Sequence, residues 1–183
     1  MKNNMSYLQK YCSNCGEKVI KKYAEGRERY VCEYCSTIHY TNPKIVAGAL
    51  CVWENKVLLC RRAIEPRKGF WNLPAGYLED FEKVEDGAIR ETWEEAGTKI
   101  EIEKVFVVYN LPQANQVYIH FLARLTDGII RNGEESIESA LFDESEIPWN
   151  ELAFTSSAFA LRKYFEERKL GKFSTHLGTF PEK

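Results

Sequence analysis

Residues 76–98 read Gly76-Tyr-Leu-Glu-Asp-Phe-Glu82-Lys-Val-Glu-Asp-Gly-Ala-Ile-Arg90-Glu91-Thr-Trp-Glu94-Glu95-Ala-Gly97-Thr98. The spacing predicts a helix over 84–96 that stops at Gly97, since glycine readily takes the left-handed conformation that closes helices. On that helix Glu91, Glu94 and Glu95 stand at i, i+3 and i+4 and share one face. Glu94 and Glu95 also fall in the last turn, at the negative end of the helix dipole. Each such placement costs from a few tenths to about 1 kcal/mol. One arginine, Arg90, does not neutralise three carboxylates. A hard divalent cation such as Mg²⁺ or Mn²⁺ takes oxygen ligands and would. A solvated acidic face is the plainer alternative for these three residues alone. The flanking positions favour the metal. Gly76, Glu82, Arg90-Glu91, Glu94-Glu95 and Gly97 match a seven-position pattern whose chance occurrence is on the order of 10⁻⁸ per start position.

Outward from the helix, 45–53 and 57–61 form an expected β-hairpin about Glu54-Asn55. A Gly/Pro-rich loop is expected from Pro66 to Gly76. Strands follow at 100–109 and 116–125. In the second, Val117, Ile119, Phe121, Ala123 and Leu125 alternate onto one face. A short strand at 139–142 and a helix at 156–168 complete the set. Thr41-Asn42-Pro43 reads as a linker, so a boundary is expected between residues 1–42 and 43–183. Residues 1 to about 10 read as a polar, poorly ordered lead.

Four of the six cysteines fall in the N-terminal segment as Cys12, Cys15, Cys32 and Cys35, a C-x2-C-x16-C-x2-C spacing. Two such knuckles put four thiolates at the corners of a tetrahedron, which suits a closed, structural Zn²⁺ site. About 30 residues bury too little apolar surface to fold alone, so the metal would supply the folding energy. His39 is read as a neighbour of that site. Cys51 and Cys60 are read as buried, inert thiols.

The chain has 183 residues, 44% hydrophobic and 13% aromatic, enough for a core. With 25 Lys plus Arg against 27 Asp plus Glu, the formal charge is −2. That balance gives no global field for nucleic acid. In the cysteine segment Lys18, Lys21, Lys22, Arg27 and Arg29 alternate with Glu17, Glu25, Glu28 and Glu33, so no nucleic-acid partner is expected. No run is long enough to cross a bilayer, and the N-terminus lacks a signal-peptide core. A cytoplasmic protein without membrane contact is the expectation.

The pattern G-x5-E-x7-R-E-x2-E-E-x-G resembles the signature of the Nudix hydrolases, with Thr92 and Thr98 standing where the family has bulky aliphatic residues. The cysteine segment, Tyr40-x-Asn42-Pro43, Leu73-Pro74-Ala75-Gly76 and Ile147-Pro148-Trp149 extend the likeness to a subgroup with an N-terminal zinc ribbon, associated with FAD and ADP-ribose. The resemblance implies an α/β/α sandwich with a mixed sheet. It implies Mg²⁺ or Mn²⁺ held by Glu91, Glu94 and Glu95 with the Ala75 or Gly76 carbonyl, oriented by Arg90. It implies cleavage of a pyrophosphate bond in a nucleoside diphosphate derivative, FAD or ADP-ribose, releasing AMP.

Glu135, in the acidic loop 133–136, is the first candidate for a general base outside the helix, and Glu138 the second. Arg61, Arg62 and Arg67 are candidates for phosphate contacts, with plain surface charge as the alternative, and Trp71 is a candidate for stacking on a ring, with core packing as the alternative. His120 is expected to be a hydrogen-bonded polar residue. Homodimers are common in the family. Alternatives are an NADH pyrophosphatase, whose S-Q-P-W-P-F-P-x-S stretch is absent at Tyr109-Asn110-Leu111-Pro112-Gln113, and a protein that binds nucleotide without turnover.

Overall fold

The computed structural model describes residues 9–181. They form two compact units that part between Pro43 and Lys44. The expected polar lead lies almost wholly outside the described residues.

The first unit is a three-stranded antiparallel sheet of β1 (Val19–Ala24), β2 (Arg27–Cys32) and β3 (Ile38–His39). Its strands are mostly exposed, and Cys12 and Cys32 are its buried residues. So little apolar burial cannot offset the entropy of ordering the chain.

The second unit is built on a mixed sheet. Its strands are β4 (Lys44–Trp53), β5 (Lys56–Arg62), β6 (Trp71–Asn72), β7 (Ala75–Tyr77), β8 (Ile100–Leu111), β9 (Gln116–Leu125), β10 (Ser136–Phe142) and β11 (His176–Thr179). The main order is β10-β5-β4-β9-β8-β11, with β6 on β5 and β7 on β4. β4 and β9 run parallel, as do β8 and β11. The other pairs are antiparallel.

Two helices, α1 (Val84–Ala96) and α2 (Thr155–Arg168), cover opposite faces of this sheet. The alternation of β4 decides which. Val46 and Leu50 join a core with Ala160, Leu161, Tyr164 and Phe165 of α2. Ala47, Ala49 and Cys51 join the other core with Ala88 and Ala96 of α1. The small residues on the second face let α1 lie close to the sheet. A Cβ on its Gly87 would press on Leu78, Glu82 and Ala47. α1 ends as its sequence requires: Gly97 sits at φ 55 and its N–H reaches Trp93 O.

Three features depart from expectation. The 66–76 loop contains β6 and β7, formed because neighbouring strands offer free backbone partners. β10 begins at Ser136, three residues early. β11 was not anticipated, because four residues with a glycine carry no periodic signal. Its pairing with β8 depends on Gly178, whose Cβ would meet the Tyr109 ring. Among the described residues no helix is long and apolar enough to cross a membrane.

Candidate active site

α1 carries the acidic cluster, and Arg90 organises it. Its guanidinium donates Nε to Glu82 Oε1 at 2.8 Å and Nη2 to Glu82 Oε2 at 2.9 Å. Nη1 donates to Glu91 at 2.6 Å and to Glu94 at 2.9 Å, and Nη2 also donates to Tyr77 O at 3.0 Å. Such bidentate, charge-assisted bonds are stronger than neutral ones and fix direction. Glu82 in turn accepts the Glu79 N–H, which ties the loop to the helix as its place in the sequence implied.

Glu95 points the other way. It is 7% exposed, and its Oε1 accepts the Ala75 N–H at 3.4 Å. Burial pushes its carboxyl up to about 8, helped by Glu91 and Glu135 and opposed by Ala75 and Arg62. Glu91 is also raised, chiefly by burial. Arg90 holds Glu82 below its ordinary value. Gly76 is glycine because Glu91 fills the space a Cβ would take.

These groups line a cleft of about 1020 Å³, in which seven glutamates (65, 79, 91, 94, 95, 134 and 135) face Arg62 and Arg90. An anionic ligand would be repelled from this wall, and divalent cations remove that obstacle. The residues present therefore fit a divalent metal. Arg90 holds Glu91 and Glu94, while the Ala75 N–H holds Glu95.

The loop that carries Glu135 is docked on the C-terminus of α1. Arg131 N–H donates to Ala96 O, Gly133 N–H to Glu95 O, and Ser139 Oγ to Glu95 O. These bonds satisfy helix carbonyls left without partners. A Cβ on Gly133 would overlap Glu94 O, so only glycine allows the approach. Glu135 thereby lines the cleft, and Glu138 is absent from its lining.

The candidate substrate residues divide. Arg62 lines the cleft with its guanidinium 5.1 Å from the Phe154 ring centroid. Arg61 does not line it; its Nε bonds Gly69 O. Trp71 is a correction: it is 7% exposed and packs edge-on against Phe142 within the core, so its ring faces no ligand. His120 is a second correction. It is 1% exposed with neither ring nitrogen bonded, and burial lowers it to about 4. Cys51 is buried and pushed up to about 12 by desolvation, and Cys60 is raised as well. Thr92 is fully buried and gives its hydroxyl to Ala88 O at 2.7 Å, while Thr98 Oγ1 is buried without a partner. Sequence reasoning missed Tyr77, Gln116, Tyr118 and Phe154, cleft residues brought from three separate elements.

In the N-terminal unit the Sγ atoms of Cys12, Cys15, Cys32 and Cys35 all lie within 4.8 Å of one another. Cys12–Cys35 is 3.6 Å and Cys15–Cys32 is 3.5 Å. A tetrahedron of Zn–S bonds requires sulfur separations of about 3.8 Å. The four thiols fit zinc. The Thr37 hydroxyl and backbone hold Cys35 down to about 5, favouring thiolate. His39 is not in the group.

Comparison with known proteins covers both units. Residues 42–167 match the NUDIX domain model, and residues 10–41 match the model for the Nudix N-terminal zinc ribbon. The chain belongs to the Nudix family and is a pyrophosphohydrolase of that family. An ADP-ribose pyrophosphatase of Methanocaldococcus jannaschii is 30% identical over 119 residues, 63% of this chain and 69% of that protein. The NAD-capped RNA hydrolase NudC of Chromobacterium violaceum is 29% identical over 144 residues, 78% of this chain but 53% of that protein. The chain thus spans about half the length of that relative. The crystal structure of a NUDIX hydrolase from Nitrosomonas europaea superposes with a TM-score of 0.90 at 49% identity, covering 93% of this chain and 98% of that one.

Proposed function

We propose that this chain hydrolyses the pyrophosphate bond of a nucleoside diphosphate derivative, ADP-ribose or FAD, and releases AMP. The observation that carries the reading is the cleft, where seven glutamates and two arginines meet around an acidic helix. Glu91, Glu94, Glu95 and the Ala75 carbonyl would hold Mg²⁺ or Mn²⁺. The chemistry such ions supply is neutralisation of the diphosphate and a lowered pKa of water. Arg90 keeps Glu91 and Glu94 aimed by its hydrogen bonds. Arg62 contacts the substrate phosphates. Glu135 accepts a proton from the water that attacks one phosphorus in line, and the bond from that phosphorus to the bridging oxygen breaks, leaving two phosphomonoesters. Residues 1–42 form a zinc ribbon with a structural Zn²⁺, and 43–183 the catalytic domain. The two family matches, at 10–41 and 42–167, support that division.

The names of the relatives support ADP-ribose first. The NudC relatives favour one further reading, an NAD-capped RNA end as substrate. The ribbon's ion pairs Lys21–Glu28, Lys22–Glu33 and Arg29–Glu25 leave it no basic stripe for an RNA tail. Product analysis with ADP-ribose, FAD, NADH and a capped RNA, at two salt concentrations, separates these cases. AMP from ADP-ribose or FAD at rates insensitive to salt is expected. Fastest turnover of capped RNA with steep salt dependence would replace the proposal.

A further inference from the structure

Asn72 is 2% exposed, and the surface it keeps lines the catalytic cleft. It pairs with Cys60 on β5, and Arg62 holds the next position of that strand on the same face. The following strand begins at Ala75, whose N–H holds Glu95. Register and chain thus put Asn72 beside Arg62 and next to the strand that grips the buried carboxylate.

A side-chain amide can turn over and exchange its donor and acceptor ends. Here one end is fixed. Ser157 Oγ accepts the Leu73 N–H at 3.4 Å and donates to Asn72 Oδ1 at 2.5 Å. Ser157 is fully buried in the first turn of α2, so the carbonyl end of Asn72 is pinned to that helix. The NH₂ end is left over. Asn72 Nδ2 has no partner among the described residues and is not one of the polar atoms sealed from solvent, unlike both ring nitrogens of His120. A donor on so deeply buried a side chain calls for an acceptor, and the cleft is where one can arrive.

Other donors of the cleft are already engaged. Arg90 commits Nε, Nη1 and Nη2 to Glu82, Glu91, Glu94 and Tyr77 O. Gln116 Nε2 donates to Tyr77 Oη, and Tyr118 Oη to Gln116 Oε1. Arg62 gives Nε to Pro66 O. We propose that Asn72 Nδ2 donates a hydrogen bond to a phosphate oxygen of the substrate, and that Ser157 is the positioning residue that keeps this donor turned to the cleft. The inference rests on the proposed pyrophosphate substrate. An anion drawn to Arg62 offers its oxygens to the neighbouring amide. A neutral donor suits the place, because a lysine or arginine beside Glu95 would pair with it and compete with a divalent cation for the carboxylate.

The test compares ADP-ribose hydrolysis with Mg²⁺ in the full chain and in Asn72→Asp, Asn72→Ala and Ser157→Ala, at about pH 8.5, well above the ordinary carboxylate range. Calorimetric binding of pyrophosphate with Mg²⁺ is measured for each. Asn72→Ala should lower kcat/KM and pyrophosphate affinity by about 10- to 100-fold, as expected for a lost hydrogen bond to a charged acceptor. Asn72→Asp keeps the size and the acceptor for Ser157 but replaces the donor with a negative charge, so it should be roughly tenfold worse than Asn72→Ala. Ser157→Ala frees the amide to turn and should lower both by about threefold. A purely structural role predicts the opposite order, since Asn72→Asp preserves the tie to α2 and Asn72→Ala breaks it. Asn72→Asp no worse than Asn72→Ala, or Ser157→Ala as damaging as Asn72→Ala, would overturn the inference. So would a native chain that neither turns over ADP-ribose or FAD nor binds pyrophosphate. Pyrophosphate binding in the expected order without turnover would sink the substrate reading and leave the donor in place.

Discussion

The two candidate metal sites are built on opposite plans. In the N-terminal unit four sulfurs converge within 4.8 Å while the strands around them lie mostly in solvent. In the catalytic unit the carboxylates are spread around Arg90 and Ala75, on a helix packed into a complete core. Four thiols around one ion would leave it no open position. The carboxylate cluster leaves a cleft of about 1020 Å³ beside it. A metal that makes a fold and a fold that makes a metal site should respond differently to the same perturbation.

Zinc removal, or Cys32→Ser at a fully buried cysteine, should have the largest effect. Structural zinc contributes apparent binding energies of about 10–16 kcal/mol, so amide protection across 10–41 should vanish. Hydrogen exchange should show residues 44–181 little changed. Loss of protection in both units together would break the comparison.

Glu94→Gln should lower kcat by about 10²–10³ while the melting temperature holds, since Glu94 is exposed and its loss removes charge without a cavity. Unchanged kcat with Mg²⁺ would remove Glu94 from the site.

Glu95 gives a pH test. Its folded pKa of about 8 lies above the unfolded carboxylate value, so the metal-free folded state binds the extra proton between about pH 4.5 and 8. Metal-free stability from this group therefore falls as pH rises through that window. Glu95→Gln should flatten the slope and stabilise the metal-free protein at pH 8 by on the order of a few kcal/mol. Denaturant titration at pH 5 and 8 measures it; a Gln variant with the same slope would refute the assignment.

Arg90→Lys should have the smallest effect, about 10- to 100-fold in activity, because a lysine keeps the charge but loses the fork that grips Glu82 and Glu91 together. An accompanying rise in the Mg²⁺ concentration needed for half-maximal rate would place the defect in ligand orientation.

The ligand sets were legible because their chemistry is local. The C-x2-C knuckles and the i, i+3, i+4 carboxylates are spacings, and α1 occupies 84–96 as its periodicity and Gly97 imply. Thr92 broke the aliphatic pattern but returns its hydroxyl to Ala88 O within α1, while Thr98 leaves a buried hydroxyl without a hydrogen-bond partner. Trp71 and Arg61 stayed open between a ligand contact and packing or surface charge, because an aromatic or a cation reads alike in sequence whether it faces a core or a cleft. Only packing distinguishes them. His120 sits on a strand position that alternation makes polar, and the tertiary structure buries it without a partner.

By itself, then, the sequence determined the fold class, the four-cysteine cluster and the acidic helix, because hydrophobic period and cysteine spacing act over a few residues. The tertiary structure decided what surrounds them. It brought Glu135 to the cleft through Gly133, and made strands of 71–72, 75–77 and 176–179. Those outcomes depend on backbone groups finding partners far along the chain, and no short-range pattern encodes such contacts.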